Sequence, residues 1–250
     1  TMKCDVVGGC DPDKNPATTN FAFGETFPLT SKFKLKAVVA DATGTVSTHV
    51  TALTDMAAKL AEKNAGTGNP LNADAINGAN SQVAQLFGLS SGDDLIQQKP
   101  IDITNPAVIA TATAAQLRNA LYSAAILGAV LKSTSGSDDF SDDLEAFSNK
   151  FADDSGQLPA NDANTATTSL SEVLLEADSL LNEDTVSGAI SSVDSSIDSK
   201  VTADKADADS KPVDELTTSS PSPEAASSDV RKALAMISDL RDLAYALGAR

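Results

Sequence analysis

The amino-acid sequence predicts a mainly α protein: a helical bundle of six or seven helices preceded by an irregular disulfide-bearing arm and a short β-hairpin. Three observations carry this expectation. The 250 residues are 41% hydrophobic but include no Trp, two Tyr and eight Phe, so Ala, Leu, Val and Ile supply the core. Such side chains suit closely packed helices. Apolar residues recur at intervals of three and four through much of residues 52–201, the period of a half-buried helix. The only two cysteines, Cys4 and Cys10, stand in an opening stretch with no helical period.

Residues 1–31 are rich in Gly, Pro, Asn and Thr and read as the arm. Five residues separate the cysteines, two of them adjacent glycines, which brings the Cα atoms within bridging distance. A Cys4–Cys10 disulfide is favoured over two free thiols. So small a ring gains about 2 kcal/mol of chain entropy, enough to shape the arm locally.

Over residues 32–51, Phe33, Leu35 and Ala37 alternate with Lys32, Lys34 and Lys36. A turn near Asp41–Gly44 then leads to Val46, Thr48 and Val50. This is the pattern of a β-hairpin, which must pack on helices or pair with another chain to be stable.

The bundle is expected over 52–201. Leu53, Met56, Ala57 and Leu60 form one apolar stripe, and Ile76, Val83 and Phe87 a second, with Asn72 as N-cap and Gly88 as stop. Thr113 and Gln116 make a capping box before a helix that is apolar on nearly all sides, "ALYSAAILGAVL" at 120–131, expected at the centre. At twelve residues that run is too short for a membrane span. Phe140, Leu144, Phe147 and Phe151 mark a further helix, and Ser169 with Glu172 caps the next. Val186, Ile190, Val193, Ile197 and Val201 then stripe a helix made otherwise of Ser, Asp and Gly, weak by propensity and in need of a partner. Residues 202–227 read as an acidic Ser/Pro linker. Val230, Leu234, Ile237, Leu240, Ala244 and Leu247 give residues 228–250 as a C-terminal amphipathic helix, a candidate interaction surface.

Charge narrows the function classes. The formal net charge is −17, with eight Lys/Arg against twenty-four Asp/Glu in residues 133–250. Such a field repels nucleic acid and anionic lipid, and no basic stretch offsets it. The chain opens at Thr1 without a signal peptide, which fits a cytosolic protein or one whose leader has been removed. Two pairable cysteines, abundant Ser, Thr, Asn and Asp, and sparse Lys/Arg favour export.

Catalytic chemistry finds little support. The single His49 excludes a multi-histidine zinc site and reads as a surface or hairpin-packing residue. The cysteines lack CxxC spacing, and "VVGGCDPD" lacks the glycine pattern of a nucleotide loop. Paired carboxylates such as Asp142 with Asp143 occur, but without the aromatics that line sugar-cleaving clefts. Asp11, Asp13 and Asn15 alternate as the first oxygen ligands of a calcium loop do, yet Pro16 and Ala22 stand where an EF-hand requires Gly and Glu. A calcium turn of another kind is the alternative to ordinary Asx turns. No other cofactor is implied.

"VSTHVTALTDMAAKLAEKN", "LNADAINGANSQVAQLFGL", "ALYSAAILGAVL" and the terminal "MISDLRDLAYAL" together resemble the helical module of secreted and surface-anchored bacterial proteins, in which a short strand enters a V-T-x-L-T-x-x-A helix. The resemblance covers residues 35–182 and 229–247; the Ser/Asp helix and the linker stand apart from it. It implies an exported, non-catalytic surface module and carries no site residues. The expected function is that of a non-enzymatic extracellular structural protein, self-assembling as a homo-oligomer, filament or layer through its arm, hairpin edge or C-terminal helix. The alternative is a monomeric surface lipoprotein or secreted module that binds a glycan or a cell-envelope partner.

Overall fold

A computed structural model describes residues 2–11, 20–28, 33–40, 42–66, 68–133, 140–161, 168–212 and 215–216. Among them the chain is mainly helical, with the arm and its Cys4–Cys10 bridge ahead of the bundle.

Helix α1 (Ala52–Ala65) starts at Thr51, whose side chain accepts from Thr54 N–H while the Thr54 hydroxyl accepts from Thr51 N–H. That reciprocal pair satisfies two donors which a helix start leaves open. Asn72 caps α2 (Ala73–Leu86) in the same sense, and α1 and α2 pack together. Two short helices follow that the apolar period did not reveal, α3 (Gly92–Gln97) and α4 (Pro106–Ile109). Asn105 caps α4, and Pro106 sits at its first turn, where a missing N–H costs nothing.

Helix α5 (Ala114–Lys132) opens on the Thr113–Gln116 capping box and is buried continuously from Asn119 to Val130. It packs against α1, α6 (Phe140–Asp153) and α7 (Leu170–Leu181), as its all-round apolar surface requires. Phe140, Leu144, Phe147 and Phe151 face inward from α6, and the Ser169–Glu172 box starts α7.

Three expectations are corrected. The stretch expected as one helix from Val186 to Val201 is two, α8 (Ser187–Val193) and α9 (Ile197–Ser210). Asp194 divides them: its Oδ1 accepts from Ser196 N–H (3.1 Å) and Ser196 Oγ (2.7 Å), a local turn that competes with helical pairing. Residues 202–210, expected to begin the linker, are instead helical, because α9 runs on to Ser210. Covering by α7 and i,i+4 pairs such as Lys200–Asp204 (3.1 Å) and Lys205–Asp209 (2.6 Å) support a helix of weak propensity. The rest of that linker apart from residues 211–212 and 215–216, and the whole C-terminal segment 228–250 with Val230, Leu234, Ile237, Leu240, Ala244 and Leu247, lie outside the described residues.

The third correction concerns the hairpin. Described residues of 32–51 form no strand. The antiparallel pair lies within the arm instead, β1 (Met2–Lys3) with β2 (Thr26–Phe27), register Met2 to Phe27. Residues 33–40 are an extended strap on the bundle. Their alternation is real, since Phe33 and Leu35 turn inward and Lys34 and Lys36 outward. Their polar groups, however, pair with helices. Lys36 N–H donates to Asp55 Oδ1 (3.0 Å), and Asn80 Nδ2 donates to the Val38 carbonyl (3.3 Å). The Phe33 ring stacks on Phe140 at 5.8 Å. Farther on, His49 is half-buried and its N–H donates to the Ile96 carbonyl (3.0 Å).

Candidate functional site

The arm builds one wall of the site, and its sequence explains its shape. Gly8 and Gly9 adopt φ of 95° and 103°, a region open to glycine, and so turn the chain between the cysteines. A Cβ on Gly9 would meet Asn20 Oδ1 at 2.7 Å. The returning segment pairs tightly: Cys4 N–H donates to the Glu25 carbonyl (2.8 Å), Gly24 N–H to the Cys4 carbonyl (2.7 Å), and Cys10 and Phe21 exchange bonds of 2.8 and 2.9 Å. Cys4, Val6, Cys10 and Phe27 form a small apolar core of their own, with the Phe21 ring 5.3 Å from that of Phe27. The disulfide is therefore buried, with Cα atoms 5.7 Å apart.

Two lysines hold this arm to the bundle. Lys132, at the end of α5, reaches the Val7 carbonyl (3.5 Å) and pairs with both oxygens of Glu176 on α7 (2.8 and 2.7 Å). Gly128 makes that approach possible, because a Cβ there would stand 3.2 Å from Glu176 Oε2 and 3.4 Å from Val6 Cγ2. At the other end Lys3 Nζ meets Asp102 Oδ2 at 2.6 Å.

Between arm, strap and bundle lies a cleft of about 380 Å³. Its walls are apolar, including Leu35, Val50, Ile101, Ile103, Ala124 and Leu127, and Lys3, Asp5, Asp102 and Thr104 supply its charged and polar edge. An apolar cavity with a few convergent polar groups is the usual form of a small-ligand site. Burial alone would raise the Asp102 carboxyl, but hydrogen bonds from Lys3 and Thr104 outweigh it and hold the group below the ordinary carboxylate range. Asp5 behaves oppositely. Burial pushes its carboxyl up to about 6, its own main-chain N–H offsets part of that, and the Asp102 charge adds to the rise. Among the described residues the cleft thus contains two carboxylates and one ammonium, and the ammonium is committed to Asp102.

A second apolar hollow, about 250 Å³, lies along α6 beside Phe147, Phe151, Leu158 and Pro159. Its charged groups stand on the same helix or the turn after it, as in the Lys150–Asp154 pair. They do not converge from separate elements.

The expected site residues fare unevenly. Cys4 and Cys10 are joined. Asp11 directly follows the bridge, whereas Asp13 and Asn15 lie outside the described residues, so the calcium triplet is not placed as a unit. Among the described residues no three His, Cys, Asp or Glu side chains gather as metal ligands would. None of their helices is long and apolar enough to cross a membrane. Lys3, Asp5 and Asp102 escaped the reading of the sequence. "KCD" placed two charges around a cysteine, but nothing local tied them to a loop about a hundred residues away.

No family model, no curated protein and no solved structure matches this chain.

Proposed function

We propose that this protein is a non-enzymatic exported module, working outside the cell or at a bacterial cell surface, that holds a cell-envelope partner in the cleft between arm and bundle. The observation that carries the reading is the stapled arm itself. A buried disulfide belongs to an oxidising compartment, and here it fixes one wall of a preformed cavity. A wall fixed in advance lowers the ordering cost of binding.

The monomeric form is preferred to a filament or layer. Self-assembly drew its physical motive from segments that needed covering by another chain, and two of these are covered within the chain. The strap lies on α1 and α6, α8 packs mainly on α4, and α9 packs on α7. The remaining motive is the apolar stripe from Val230 to Leu247, and it keeps assembly as the second reading.

Size-exclusion chromatography with light scattering, run over a wide concentration range on the full chain and on a deletion of residues 229–250, tests the choice. A single monomeric mass in both supports the module. Filaments or higher oligomers that vanish with the deletion would replace it with the assembly reading.

A further inference from the structure

We propose that the cleft between arm and bundle binds a primary ammonium group carried on an aliphatic stem. This deepens the functional reading above and rests on it for the site, adding the chemistry of the ligand.

The charges in the cleft decide the sign. Lys3 Nζ is engaged by Asp102 at 2.6 Å, and Thr104 donates to the other oxygen of Asp102 through its N–H (3.1 Å) and its hydroxyl (2.7 Å). Asp102 is therefore neutralised and fully bonded. Asp5 also lines the cavity, and besides its own main-chain N–H no donor among the described residues reaches its carboxylate. Among the described residues of the cleft, Lys3 and Asp102 are the other charged groups, which leaves one negative charge there without a cation of its own. Half-burial in apolar surroundings makes that charge costly and makes a matching cation correspondingly favourable. An ammonium supplies three donors to a carboxylate that lacks them.

The walls decide the rest. Leu35, Val50, Ile101 and Leu127 offer surface to a methylene chain and nothing to a hydrated inorganic ion, and a hard divalent cation would want more oxygen ligands than Asp5 provides. The volume, about 380 Å³, exceeds what a butyl chain needs. Two sources share this chemistry, a free alkylamine and the side chain of a lysine on a protein partner.

The test is a titration of the ¹³C- and ¹⁵N-labelled full chain, followed by NMR at the amides of Asp5, Thr104 and Ala124, with n-butylamine, N-acetyl-lysine-methylamide and uncharged n-butanol. Saturable shifts are expected with both amines at about pH 7.5, and tighter binding of the lysine derivative assigns the partner to protein. The carboxyl ¹³C signal of Asp5 should show its titration moving downward as the amine saturates, since linkage is reciprocal. At about pH 5 the Asp5 carboxyl is mostly protonated and binding weakens about tenfold. His49 adjoins Val50 of the cleft, so the pH comparison is repeated in His49→Gln and should be unchanged. Asp5→Asn, which removes a half-buried charge and keeps the side-chain shape, should weaken the amines about tenfold or more.

Equal binding of n-butanol and n-butylamine, or amine affinity unchanged in Asp5→Asn, overturns the ammonium assignment while leaving the cleft as a binding site. No saturable shift from any of the three probes overturns the cleft itself, whatever the oligomeric state measured by chromatography.

Discussion

Arg118 of α5 donates through Nε to Asp194 Oδ2 at 2.8 Å and through a terminal nitrogen to the Gly88 carbonyl at 3.1 Å, so one guanidinium joins the ends of α2 and α8 to the central helix. Asp194 is 7% exposed and Arg118 24%. Burial alone would raise the Asp194 carboxyl, but Ser196 and Arg118 outweigh it and hold it below 3.8. A carboxyl lowered on folding contributes stability that is complete above about pH 4 and is lost as pH falls through the folded value. Arg118→Met should cost about 2 kcal/mol near neutrality. The deficit against the unaltered protein should shrink at about pH 2.5, which urea unfolding at the two pH values measures directly.

Asp5 works in the other direction. Its carboxyl lets go of its proton near 3.8 in the unfolded chain and at about 6 in the folded one, so stability declines as pH rises between those values. The full difference corresponds to about 3 kcal/mol, and solvent at a half-buried group reduces this to about 1–2 kcal/mol. Asp5→Asn should therefore raise the urea midpoint at about pH 7.5 and leave it nearly unchanged at about pH 4. An equal gain at both would mean that packing, not charge, is responsible. The same substitution removes the proposed ammonium partner, so stability is expected to rise as binding falls.

Loss of the disulfide should be felt locally. Replacing both cysteines by serine removes a ring worth about 2 kcal/mol and places two hydroxyls in the small core of Val6 and Phe27. Hydrogen exchange should quicken at the amides of Cys10 and Phe21, which bond across the arm, while those of α5 keep their protection. Uniform loss of protection throughout α5 would show that arm and bundle form one cooperative unit.

Gly156 and Gly188 should respond oppositely to alanine. Gly156 has φ of 76°, and a Cβ there would meet the Gln82 side-chain amide and stand 2.7 Å from Leu60 Cδ2. Gly156→Ala should cost about 2–3 kcal/mol. Gly188, in the first turn of α8, has nothing within 4 Å of its Cβ position. Gly188→Ala should gain about 0.5–1 kcal/mol, and thermal midpoints moving the same way would refute the contrast.

What the sequence made legible was whatever depended on neighbours in the chain. The capping boxes at Thr113–Gln116 and Ser169–Glu172 formed as their spacing foretold, because each needs only four consecutive residues. The centrality of α5 followed from having no polar face to give to water. The strap was misread for a definite reason. A period of two reports an extended backbone with one face inward, and it does not say whether the N–H groups pair with a strand or, as at Lys36, with a carboxylate on a helix. Asp194 was hidden likewise, since an Asx turn and a polar helix position look alike in a run of Ser and Asp. The cleft was least accessible. Lys3 meets Asp102 only after α1, α2 and α3 have been packed, and no local pattern encodes that meeting.

The burial of Cys4 and Cys10 also orders events in time. Closing their ring requires only residues 4–10, whereas the seat of the arm on α5 and Asp102 exists only after more than a hundred residues have emerged and packed. Once the arm is seated, Cys4 and Cys10 are 0% and 2% exposed, sheltered from an oxidant in solution. A chain that folded first and met its oxidant later would carry two sheltered thiols. Oxidation before the arm is seated meets exposed thiols, whereas oxidation afterwards requires the arm to open first, so the bridge closes most readily before tertiary closure.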